Sequence, residues 1–139
     1  MSAPILNLLK LSVGTESVDD LRSFHRFRLK GGRGLFHITR MVPKRADELT
    51  AGGSIYWVIK GNVQARQAIT AIEPFTDGQG IRRCRIMLGH DLVDTQWQPR
   101  RPFQGWRYLK PEDAPADLAR GEAAMPAELR AQLSELGLA

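Results

Sequence analysis

The sequence predicts an α+β domain, a small, partly closed β-barrel of about six or seven short strands with peripheral helices. Three observations carry this. Short segments with period-two alternation follow one another closely. One strong helical pattern lies near the start. Glycine pairs and an Asp-Gly turn separate the segments. The strands are spaced too closely for βαβ crossovers. With 139 residues, 42% of them hydrophobic, one domain with one core is the default.

Residues 5–13 read as the first strand, an apolar run broken by Asn7 and Lys10. Ser17, with Asp20 three residues on, forms a Ser-x-x-Asp capping box, so a helix begins there. Val18, Leu21, Phe24 and Phe27 or Arg28 are expected to form its apolar face, and Gly31-Gly32 to end it. Residues 35–41 alternate, with Phe36 and Ile38 on one face and His37, Thr39 and Met41 on the other. Pro43 ends that strand, and Lys44 to Leu49 form a short helical turn before Gly52-Gly53.

Residues 55–60 are apolar on both faces, which predicts a central strand covered on both sides. Residues 65–74 and 81–88 flank Asp77-Gly78-Gln79-Gly80, a hairpin signal that favours strand over the helical alternative for 65–72. Residues 92–98 read as another strand, and 103–109 as a last short strand or structured loop. Residues 126–138 place Leu129, Leu133 and Leu136 at helical spacing.

Charge divides the chain. Residues 1–110 carry 18 Lys/Arg against 9 Asp/Glu, a net of +9, whereas 111–139 carry a net of −4. The expected organisation is a basic body over 1–110 and an acidic Ala/Pro-rich tail over 111–139 with a short C-terminal helix. No apolar run approaches membrane length, and Met1-Ser2-Ala3-Pro4 lacks the form of a signal peptide, so no membrane partner and a cytoplasmic location are expected.

Motifs for catalysis are weak. The single Cys84 excludes an internal disulfide and a multi-cysteine zinc site, and reads as a small buried hydrophobe. His25, His37 and His90 show no metal-helix spacing. No Gly-x-Ser-x-Gly elbow occurs, and Gly31-Gly32-Arg33-Gly34 lacks the Lys-Ser/Thr of a P-loop. Neither a catalytic residue, a metal ligand nor a cofactor is therefore assigned.

Basic residues interleaved with aromatics are the repeated theme. One cluster surrounds the first helix (His25, Arg26, Arg28, Lys30, Arg33), one Pro43 (Arg40, Lys44, Arg45) and one the hairpin arm (Arg82, Arg83, Arg85). The last, Arg100, Arg101, Arg107 and Lys110, lies among Phe103, Trp106 and Tyr108. Arginine forks match phosphate, and aromatic faces stack on unpaired bases. The expected nucleic-acid-binding residues are Arg40, Lys44, Arg45, Trp57, Lys60, Arg66, Arg83, Arg85, Arg100, Arg101, Trp106 and Arg107.

The segments HITRMVPKRADEL (37–49), GGSIYWVIKG (52–61), QARQAI (64–69), GIRRC (80–84) and RPFQGWRYLKPEDAP (101–115) resemble an uncharacterised alphaproteobacterial protein family. That resemblance implies a lineage and no activity. A helix after the first strand, a Gly-Gly turn, a strand like IYWVIKG and a following hairpin also look like the PUA-like superfamily, which includes ASCH and EVE domains. That likeness implies a pseudo-barrel that binds RNA or a modified nucleobase, although the ASCH motif Gly-x-Lys-x-x-Glu-x-Arg is absent. Three functions follow as expectations: a nucleic-acid-binding module with RNA favoured, an enzyme acting on a nucleotide or phosphorylated small molecule, and a protein-binding adaptor.

Overall fold

Ser54–Ile59 (β3) has every residue buried, as expected of a strand covered on both faces. Around it, a computed structural model, which describes residues 5–32 and 34–118, arranges one six-stranded mixed sheet. Its order is β2-β5-β4-β3-β1-β6, with β1 Asn7–Leu11, β2 Phe36–Thr39, β4 Asn62–Thr76, β5 Arg82–Pro99 and β6 Trp106–Leu109. The helices are α1 (Val18–Lys30) and α2 (Ala46–Thr50), and a 3-10 turn spans Pro111–Asp113. The molecule is thus α+β and mostly strand.

Three expectations about the sheet are corrected. The hydrogen-bonded ladder runs from β2 to β6 without closing, so the sheet is open where a partly closed barrel was expected. Residues 82–99 form a single strand instead of two, because shifts of register against β4 near Ala65, Ile69 and Ala71 absorb the break at Gly89. β1 and β3 run parallel, which requires one crossover, and α1, β2 and α2 together supply it.

The sheet nonetheless curls over one face. His37 on β2 meets Trp57 on β3 edge-on, with ring centroids 5.9 Å apart, although β5 and β4 lie between those strands in the ladder. Beyond β2, the Met41 carbonyl accepts a 2.8 Å hydrogen bond from Trp106 Nε1 on the opposite edge strand. Under the curl lies the larger core, with Leu8, Ile55, Ile59, Ile86 and Cys84 fully buried. Leu9, Tyr56, Val58, Val63 and Leu109 form a smaller cluster on the other face.

Ser17 caps α1 as expected, its hydroxyl accepting from Asp20 N at 3.1 Å. The helix buries Val18, Leu21 and His25, while Phe24 is 54% and Phe27 75% exposed. The apolar stripe thus follows an i, i+3, i+7 path through a histidine rather than through the phenylalanines. Arg22 pins the helix to β5, donating to Leu92 O at 3.1 Å and to Asp94 Oδ2 at 2.6 Å.

Two turns show why particular residues stand where they do. Lys60 (φ 49°) and Gly61 (φ 83°) make the two-residue turn between β3 and β4, a left-handed conformation at both positions. At Gly53 a Cβ would lie 2.1 Å from Leu6 O and 2.6 Å from Leu49 O, so only glycine fits between β1 and α2.

The start of the acidic tail lies against the body. Gln96 N donates to Ala116 O at 2.8 Å, Leu118 N donates to Asp94 O at 3.0 Å, and Thr95 bridges to Asp117. The helix expected over 126–138 lies outside the described residues. No described helix is long and apolar enough to cross a membrane.

Candidate functional site

The alternation of β1 places Leu6, Leu8 and Lys10 on one face, and its register sets Lys10 beside Trp57. β2 brings His37 to the same side, since His37 pairs with the core residue Ile86. Over these residues lies α1, and the chain between β1 and α1 closes one side. The result is a cavity of about 270 Å³. Leu21, Leu35, Leu88, Phe36 and Trp57 supply its apolar wall; Lys10, Ser12, Thr15, His25, Arg28 and His37 supply its polar groups.

No carboxylate lines this cavity among the described residues. Four nitrogenous side chains converge without a carboxylate among the described lining residues, and the fold lowers the proton affinity of three of them, Lys10, His25 and His37. Burial, and secondarily the charge of Lys10, push His37 down to about 4, so its imidazole is neutral at pH 7. Burial lowers Lys10 below the ordinary lysine range. His25 is lowered by burial and by nearby Arg28. Among the described residues, His25 Nδ1 and Arg28 Nε are buried without a hydrogen-bond partner.

The aromatic groups are held firmly. Trp57 Nε1 donates to Gln67 Oε1 at 3.1 Å, and Gln67 Nε2 donates to Gly89 O at 2.7 Å, which fixes the indole from behind. At the rim, Phe36 lies between two guanidinium groups, Arg28 at 4.7 Å and Arg85 at 5.3 Å, and Arg85 also covers Phe75 at 4.5 Å. Arginine planes therefore continue from the cavity mouth along the hairpin.

The residues expected from sequence divide into three groups. Trp57 lines the cavity and Arg85 extends its rim. Arg100, Arg101 and Arg107 come together with Phe103 and Tyr108 in a shallow groove, with Arg107 over Phe103 at 5.4 Å. That groove is floored by Leu9 and Leu109, which belong to the smaller cluster on the far side of the sheet. Arg45 approaches it through Tyr108, whose ring lies 5.6 Å from the guanidinium; Arg40 and Lys44 are exposed nearby in sequence.

Arg45 is paired with Glu48 at 2.6 Å and Arg85 with Glu73 at 3.8 Å, and the remainder also have partners within the chain. Arg66 forms a two-pronged pair with Asp117 at 2.7 and 2.8 Å and holds that carboxyl below its usual range. Arg83 meets Asp77 through Nε alone and likewise holds its carboxyl low, and Lys60 pairs with Glu16. Trp106 is buried with its indole donated to Met41 O. The basic clusters therefore do not share one face. Cys84 is fully buried and burial pushes its thiol up, as befits a small core residue.

Sequence reasoning left Lys10, His25, Arg28 and His37 out of the site. Two signals pointed to them: a lysine inside an apolar strand, and a histidine in phase with Val18 and Leu21 on the helix.

A family model with the description "Protein of unknown function (DUF1489)" matches residues 8–139. No curated protein and no solved structure matches the chain.

Proposed function

We propose that the chain, which belongs to this family of proteins of unknown function, is a nucleic-acid-binding module, RNA favoured, that holds one nucleotide between α1 and the sheet. The observation that carries this reading is the cavity lining: Trp57 and Phe36 beside Lys10, His25, Arg28 and His37, with no carboxylate among the described lining residues. Such a lining favours a flat group joined to an anion, which is the composition of a nucleotide. The Arg85 rim offers a position for a further phosphate. A PUA-like mode of capture is the form of this reading suggested by the sequence, and the curl that brings β2 onto Trp57 is in keeping with it.

The test is binding of labelled single-stranded RNA followed by fluorescence anisotropy across a salt series. Three phosphate contacts to a single strand imply an affinity falling roughly tenfold to twentyfold between 50 and 200 mM salt. Lys10→Gln and Arg28→Gln each weaken binding. Absence of binding at low salt, or affinity indifferent to salt, contradicts the reading.

A second reading, an enzyme acting on a nucleotide or phosphorylated small molecule, draws support from His37 and Lys10 in one cavity, since a neutral imidazole can donate its N–H to a substrate oxygen at pH 7. It predicts turnover that disappears in His37→Gln while binding persists.

A further inference from the structure

We infer that the cavity between α1 and the sheet takes a phosphomonoester, the terminal phosphate of a nucleotide, with the attached sugar and base against Trp57 and Phe36. This rests on the nucleotide reading and adds which part of the nucleotide enters.

Charge decides between an internal base and a terminal phosphate. Lys10 and Arg28 are drawn partly out of water and face no carboxylate across the cavity among the described residues. A neutral base inserted there displaces water from both cations and supplies no counter-charge, which is costly. A phosphomonoester carries a charge of about −1.5 to −2 at pH 7 and three strong acceptor oxygens.

The donors match that chemistry. Among the described residues, Arg28 Nε is buried without a partner. Lys10 Nζ makes a 3.5 Å contact with Leu11 O, long for a hydrogen bond, which leaves its donors available. The hydroxyls of Ser12 and Thr15 lie in the same lining, 2.7 Å apart, with Thr15 Oγ1 also 3.1 Å from Ser12 O. Phe36, flanked by Arg28 and Arg85, holds the Arg28 plane at the mouth. A cavity of about 270 Å³ suits one phosphorylated nucleoside and no longer segment.

A terminal phosphate can come from a free mononucleotide or from the end of an RNA strand. Calorimetry on the full chain distinguishes them, using RNA pentamers of one sequence with a 5′-phosphate, a 3′-phosphate or hydroxyl ends, alongside AMP, UMP, adenosine and uridine. The expected result is at least a tenfold gain in affinity from a terminal phosphate, with no binding of nucleosides. AMP or UMP matching the phosphorylated pentamer identifies the free nucleotide as the source; a pentamer that binds more tightly identifies the strand end. Arg28→Gln and Lys10→Met each remove the phosphate gain, with folding checked by thermal melting.

Pentamers that bind equally with or without a terminal phosphate overturn the inference and leave the nucleic-acid reading standing. The same holds if the phosphate gain persists in folded Arg28→Gln. If no RNA or nucleotide binds at all, both fail.

Discussion

Stability should depend on the protonation of His37 between about pH 6.5 and 4. In the unfolded chain this imidazole titrates near its ordinary value of 6.5, whereas in the fold burial and the charge of Lys10 bring it to about 4. Between those two values the unfolded chain binds a proton that the folded chain refuses. Stability is therefore unaffected above about pH 6.5 and declines as pH falls toward 4. The shift corresponds to an upper limit of roughly 3 kcal/mol, reduced in practice by the ring's residual exposure. His37→Gln carries no titrating group. Urea denaturation of both proteins from pH 7.5 to 4 should show the wild type losing about 2–3 kcal/mol more than the variant. Asp77 and Asp117, held low by Arg83 and Arg66, weaken the fold only at more acid pH and do so equally in both proteins. His25, also lowered, is common to both and cancels. Parallel stability curves, or a His37 ring resonance titrating near 6.5 in the folded protein, would refute the reasoning.

Other substitutions probe the scaffold. Gly53→Ala forces a methyl onto Leu6 O and Leu49 O and should destabilise the fold by about 3 kcal/mol or more, read as a lowered urea midpoint. Trp57→Phe leaves Gln67 Oε1 buried without its donor and should cost about 1–3 kcal/mol, with thermal melting as the readout. Lys60→Asn should raise the melting temperature, because asparagine tolerates the positive φ that lysine occupies in the β3–β4 turn.

Local signals are legible in the sequence. The Ser17 cap, the doubly covered strand expected at 55–60 and found at 54–59, the Asp77 turn and the face assignment of 36–39 all follow from short-range pattern, and each stands in the structure. Asp77 shows why: its carboxylate accepts from Gln79 N and Ile81 N, a turn chemistry contained in five residues. What escaped depends on distance along the chain. The parallel β1–β3 pair, the continuity of β5 across Gly89 and the open ladder are set by long-range pairing that no window contains. The site shows the same limit. Counting arginines located Arg100, Arg101 and Arg107, but could not reveal that Asp117, Asp77 and Glu16 engage Arg66, Arg83 and Lys60. Lys10 and His25 in the cavity sit at positions that hydrophobic phasing reserves for core, which hides them from a reading of the sequence.

The central claim, that one nucleotide is held between α1 and the sheet, is tested most directly by titrating isotope-labelled protein with a 5′-phosphorylated RNA dinucleotide and following amide and indole resonances. The account predicts shifts concentrated at Lys10 to Thr15, at His25, Arg28, Phe36 and His37, and at the Trp57 indole N–H. Shifts confined to the Arg100–Tyr108 groove on the far side of the sheet, or no shifts at millimolar ligand, would contradict it.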